Sequence, residues 1–183
     1  MTLTDVDMSG KEGLWAFSLT TYARPGVAEA CLSLQDRRGI DVNRLLHALW
    51  CGARGHRITP QEHRRLEQAV SEWHEQVVRP LRGVRRWMKH RSEVFGNEGA
   101  ALREAIKKQE LEAERLEQQL LERELAPPPG EGDPGHALAN LLLLLPPPDA
   151  QDGEALGVLL QTLWPQTGSR EVVRALKGGP SNG

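Results

Sequence analysis

Apolar residues recur at steps of three and four along residues 14–125, the spacing that lines one face of an α-helix. Ser9-Gly10-Lys11-Glu12 has capping-box form and predicts a first helix carrying Trp15, Leu19 and Tyr22 on one face, with Leu14 and Phe17 flanking. Pro25 disfavours a helical Arg24, so the chain breaks before a second helix whose Val27, Cys31 and Leu34 form one stripe. That helix stops at Arg37-Arg38-Gly39, where basic side chains meet the negative helix end and glycine supplies the left-handed residue. Asp41 caps a third helix, with Val42, Leu45, Leu46, Leu49 and Ala53 on one arc and Gly55 at its end. Three short helices with tight connections have to pack on one another.

Thr59-Pro60-Gln61-Glu62 combines a capping box with proline at the first helical position, so a long helix follows. Leu66, Val70, Trp73 and Val77 step by 4, 3 and 4, and Leu81, Val84 and Met88 resume after a gap of four. Pro80 lies in that gap and removes one backbone hydrogen bond, which predicts a kink at residues 77–80. Asn97 caps a further helix to Leu125, with a seam of Leu102, Ile106, Gln109, Ala113, Leu116 and Leu120. Packed back on its neighbour it makes an antiparallel hairpin; the polar Gln109 leaves open self-association through residues 102–120 instead.

After Leu125 the pattern changes. Residues 126–133 form a Pro/Gly linker, and Asp133-Pro134, Asp152 and Ser169 start three short helices. Each is too short to stand alone, so the extension 134–177 docks on the 9–125 body or stays partly disordered, with 178–183 a disordered tail. Composition agrees with an all-α reading: 27 leucines outnumber valine, isoleucine and threonine together, which total 21. The leucine run 141–145 ends at Pro146 and is too short to span a membrane, and the polar, acidic start and two lone cysteines, Cys31 and Cys51, suit the cytoplasm.

The formal charge of −2 is a sum of opposites. Residues 54–91 carry ten basic against four acidic side chains, whereas residues 92–126 carry five against nine. Six of the thirteen residues 79–91 are basic and none is acidic. A helical projection places Arg79, Arg82, Arg86 and Lys89, with Arg85 beside them, opposite Val77, Leu81, Val84 and Met88. This stripe either lies against the acidic helix that follows it, meets an acidic protein partner, or binds nucleic acid. The lack of an interleaved aromatic platform weakens the last.

No metalloprotease, nucleophile-elbow, phosphate-loop, dinucleotide or C-x-x-C motif occurs, so no catalytic residue, cofactor or metal ligand is assigned. His47 and Cys51 stand one turn apart but lack a third ligand at signature spacing, and read as a hydrogen-bonded flank. Arg24, Asp41 and Asn43 form a polar set that locks the first helix to the third or, alternatively, borders a ligand pocket. Trp15 and Trp73 read as core, Trp87 and Trp164 as edge anchors.

Leu14-Trp15, Phe17, Tyr22, Arg24-Pro25-Gly26-Val27, Leu34-Gln35, Asp41-Val42-Asn43, Leu45-Leu46, Trp50, Val78-Arg79-Pro80-Leu81 and the Glu110 to Glu117 block occur in that order. Together they resemble an uncharacterised family of small bacterial proteins known only as a domain of unknown function, over residues 13–125. The resemblance implies an all-helical cytosolic protein and transfers no catalytic residue. The leading expectation is a non-enzymatic interaction or adaptor protein using the basic face and leucine-rich helices. The alternatives are a nucleic-acid-associated protein using the 79–91 stripe, and a small-molecule binder or enzyme using the polar side of helix 41–54.

Overall fold

A computed structural model describes residues 12–89, 91–145 and 147–166. The expected cap at Ser9, the helix after Ser169 and the 178–183 tail lie outside these residues. The chain runs through α1 (Leu14–Tyr22), α2 (Val27–Arg38), α3 (Val42–Ala53), α4 (Pro60–Trp73), a π-helical turn (His74–Val78), α5 (Arg79–Lys89), α6 (Ser92–Glu124), α7 (Pro134–Leu142) and α8 (Ala150–Leu163). The fold is all-α, with no strand among the described residues.

Helix α3 is the post of the structure. Only Val42 and Arg44 of its twelve residues are not buried. Helices α1, α2, α6 and α7 pack around it, α8 covers α2, and α4, the π turn and α5 run back along α6 as the expected hairpin. One apolar core joins Leu14, Leu34, Leu45, Leu49 and Trp50 to Leu121 of α6, Leu141 of α7, and Leu156 and Leu159 of α8. The two described helices of the extension therefore share the core of the body.

Local signals place these elements. Thr59 Oγ1 accepts from Glu62 N and the Glu62 carboxylate accepts from Thr59 N, the capping box expected before Pro60. Gly39 ends α2 at φ 69°. Gly96 interrupts α6 at φ 53° and ψ −137°, a conformation open only to glycine, so the long helix restarts near Asn97.

Three expectations need correction. The break near Pro80 is a π turn at 74–78; one extra residue in that turn rotates everything after it by roughly 100°, so Val78 is buried in place of Val77. On α1 the core face is Leu14, Phe17, Ser18 and Thr21, while Trp15, Leu19 and Tyr22 line an apolar cleft of about 380 Å³. On α6 the inward face is Glu110, Ala113, Glu117, Gln118 and Leu121, leaving seam residues Leu102 and Gln109 exposed. Arg82, Arg85, His74 and Asn43 on other elements make that polar face buriable. Among the tryptophans, Trp50 is fully buried, Trp15 and Trp73 are half-buried, and Trp164 packs at the core edge.

The extension is fastened by polar contacts as well. Arg37 and Arg38 both reach Asp149 and Asp152 at the start of α8, at distances of 2.5–2.9 Å. Asn140 Oδ1 accepts from Ile58 N at 2.7 Å, and its Nδ2 donates to His56 O at 2.9 Å. Helices α3 and α7 touch where a Cβ on Gly52 would stand 2.5 Å from Ala137 Cα. Alanine favours a helix interior by about 1 kcal/mol, but this contact is backbone that has to move, and overpacking costs about 1–3 kcal/mol. Gly52→Ala is therefore expected to lower unfolding free energy by about 1–2 kcal/mol in urea titrations; a gain would show that α7 does not sit against α3.

Candidate functional site

A cleft of about 590 Å³ opens between the α2–α3 corner and the run from α4 to α5. Its position follows from local chemistry. Gly39 turns the chain out of α2, and Asp41 caps α3 by accepting from Asn43 N through Oδ1 at 2.9 Å. A carboxylate at a helix N-terminus also meets the positive end of the helix dipole. Across the cleft, the π turn presents its first residue, His74, to α6.

There His74 Nδ1 lies 2.9 Å from Glu117 Oε1 and 3.6 Å from Asp41 Oδ2. Glu117 is completely inaccessible to solvent. Its second oxygen accepts from Asn43 Nδ2, whose own Oδ1 accepts from Gln118 Nε2 at 2.9 Å. Asp41 Oδ2, by contrast, is buried and accepts no hydrogen bond. Burial, reinforced by Glu117 and opposed by His74, pushes the Asp41 carboxyl up to about 7. Burial works against an imidazolium at His74, but the hydrogen bond to Glu117 and the two neighbouring carboxylates outweigh it and hold its pKa above the ordinary value.

Arginines ring the cleft: Arg38, Arg44, Arg79, Arg82 and Arg86. Arg82 turns inward, with Nε 3.2 Å from Glu110 and a terminal nitrogen 2.6 Å from Glu114; Arg85 also pairs with Glu110. Arg38 pairs with the buried Asp152, and the remaining three pair near solvent, Arg44 with Glu67, Arg79 with Glu75 and Arg86 with Asp36. The basic stripe is thus not one uniform outward face. The π turn rotates Arg82 and Arg85 against the acidic side of α6, Arg79 and Arg86 remain on the rim, and Lys89 is exposed.

The polar set divides too. Asp41 and Asn43 meet in the network, but Arg24, at the α1–α2 corner, has no hydrogen bond to either. Asn43 ties α3 to α6, not to α1. His74, Glu117 and Gln118 are not part of the polar set that the sequence singles out; the available signal is a histidine and a carboxylate inside otherwise apolar stepping.

The model of a family described as "Protein of unknown function (DUF2390)" matches residues 13–121. The chain belongs to this family. The DUF2390 match takes in Asp41, Asn43, His74, Arg82, Glu117 and Gln118, and ends before α7 and α8. No curated protein and no solved structure matches the chain.

His47 and Cys51 sit together inside the protein, not in a cleft. His47 Nε2 donates to Leu125 O at 2.9 Å, holding the end of α6 to α3, and burial pushes the Cys51 thiol up. Burial lowers His47 to about 4. Between pH 6.5 and 4 the unfolded chain therefore binds a proton that the folded chain refuses, so this contribution is full above pH 6.5 and is lost as pH falls toward 4. Its ceiling is on the order of 3 kcal/mol. His47→Gln, which can still donate to Leu125 O, is expected to flatten the stability profile between pH 4 and 6.5 in chemical denaturation; an unchanged slope would show that His47 is not held neutral.

Proposed function

We propose that this protein is a non-enzymatic binder of a small anionic molecule, held in the cleft between the α2–α3 corner and the α4–α5 run. The observation that carries the reading is the cleft itself: about 590 Å³, with buried Asp41 and half-buried His74 at its floor and five arginines at its wall. That volume falls in the usual range for small-molecule sites, and convergent polar groups of perturbed acidity favour a binding role over a packing defect. The sign of the ligand follows from the rim. Glu67, Glu75 and Asp36 are each more than half exposed, and such pairs contribute about 0–1 kcal/mol. An incoming carboxylate or phosphate can therefore take over Arg44, Arg79 and Arg86 at little cost, in a more enclosed place where charge-assisted hydrogen bonds are stronger.

The test uses the full chain with inorganic phosphate, pyrophosphate, succinate and a nucleoside monophosphate as probes. At a hundredfold excess over Kd the binding anion is expected to raise Tm by roughly 5–10 °C. Replacing both Arg79 and Arg86 with Ala is expected to weaken binding about tenfold while leaving the free protein's Tm nearly unchanged. A flat response to all four probes would overturn the reading.

A second reading, an interaction protein, is favoured by apolar residues at the free end of the α5–α6 hairpin. Trp87 is 55% and Phe95 62% exposed, with Val84, Val94 and Leu102 also open to solvent. Self-association through this end is expected to appear as a concentration-dependent dimer in sedimentation velocity that Trp87→Ser abolishes. A monomer at all concentrations would remove it.

A further inference from the structure

We propose that Asp41, His74 and Glu117 form a divalent-cation site of the zinc class at the floor of the cleft, with an open coordination position facing the cavity. The inference deepens the ligand-binding reading and rests on it, because the metal would be the group that an anionic ligand finally touches.

One nitrogen of His74 and one oxygen each of Asp41 and Glu117 lie within 4.8 Å of one another. Ligands on a tetrahedral zinc ion stand about 3.3 Å apart, given metal–ligand bonds of about 2.0–2.2 Å. The 3.6 Å between His74 Nδ1 and Asp41 Oδ2 already fits, the 2.9 Å between His74 Nδ1 and Glu117 Oε1 needs a shift of a few tenths of an ångström, and the Asp41 and Glu117 oxygens, up to 4.8 Å apart, would close on the ion. One imidazole and two carboxylates from three elements match the donor types of open zinc sites, which keep a position for water or substrate.

The second observation is independent of the cluster's composition. Asp41 is only 7% exposed, yet its Oδ2 accepts no hydrogen bond and is directed at His74 and Glu117. A buried carboxylate oxygen left without a donor is costly and uncommon. The two carboxylates are also arranged alike: each has one oxygen held by Asn43, Asp41 Oδ1 by its backbone N–H and Glu117 Oε2 by its side-chain amide. Gln118 in turn fixes that amide. The remaining oxygens, Oδ2 and Oε1, converge. Outer-shell donors that hold one carboxylate oxygen and free the other are a feature of built metal sites.

The competing arrangement is a proton-sharing structural cluster that binds no metal.

The test begins with full-length protein stripped by a chelator and then titrated with Co2+ and Zn2+ alone, without any anion. One equivalent of Co2+ giving the visible absorption of a four-coordinate site, displaced by Zn2+, is expected. His74→Gln and Asp41→Asn should each weaken Zn2+ binding at least a hundredfold, Asn43→Ala roughly tenfold or more, and His63→Gln not at all. Because the first measurement uses the unaltered chain, a variant that fails to fold does not decide the matter. No stoichiometric Co2+ binding, or binding insensitive to His74 and Asp41, overturns the proposal. Anion binding that persists in chelator with no metal uptake rejects the cation site alone and leaves the cleft reading standing; metal uptake without anion binding does the reverse.

Discussion

A helix that loses its solvent on nearly every side has to find partners for whatever polar groups it carries, and α3 carries many. Its apolar residues drive the burial, but Asn43, His47 and Trp50, and Arg54 at its C-cap, each need hydrogen-bond partners that water no longer fully supplies. Those bonds decide where the neighbours go. Asn43 takes Glu117 and Gln118 of α6, His47 the carbonyl of Leu125, and Trp50 Nε1 the carbonyl of Glu12. Arg54 lies over the Trp50 ring and bonds the carbonyls of Glu12 and Pro127, which holds the segment before α1 and the start of the linker to the same helix end. The cleft floor is one consequence of this demand: Glu117 can be buried because Asn43 and His74 meet it there.

Most of the fold was legible because its signals are local. Caps at Asp41, Thr59 and Asp133, the glycine stop at Gly39 and the stripes of α2 and α3 depend on residues within one turn of each other. The inward face of α6 was not, because its partners come from elsewhere in the chain. Leu102, Ile106 and Leu116 look like a seam, but carboxylates at 110 and 117 outcompete them once Arg82, Arg85 and His74 arrive from the preceding hairpin arm. Of the site, the sequence joins Asp41 and Asn43 in one polar set, but Arg24, its third member, stays at the α1–α2 corner and bonds neither. Sequence neighbourhood suggested α1, whereas the third helix needed an acceptor on α6.

The π turn explains the remaining error. A wheel drawn at 100° per residue through residues 66–89 assumes an unbroken α-helix, and one inserted residue at 74–78 rotates every later position about a quarter turn. Pro80 gives the physical motive, since it cannot donate to the preceding turn and its ring crowds the carbonyl there. Rotation carries Arg82 and Arg85 toward Glu110 and Glu114, and the same turn sets His74 against Glu117. One local irregularity therefore both dismantles the basic stripe and assembles the cleft floor.

The extension bears on the cleft as well, although the family match stops at residue 121. Arg38, one wall of the cleft, is held by Asp149 and the completely buried side chain of Asp152, and Leu144 from beyond α7 also lines the cleft. The clamp fixes the guanidinium groups of Arg37 and Arg38 at the very corner where Gly39 leads into Asp41, so the capping carboxylate is approached through a rigid turn. Rigidity matters here because a polar site held by long side chains loses affinity to their rotamer entropy, and anchoring from behind removes part of that loss before any ligand arrives. Arginines paired with buried partners, Arg38 and Arg82, are then wall; those paired with exposed ones, Arg44, Arg79 and Arg86, are the groups left able to exchange partners. The division follows from the burial of the carboxylates, not from the arginines themselves, and it confines adaptability to the mouth of the cleft while the floor stays fixed.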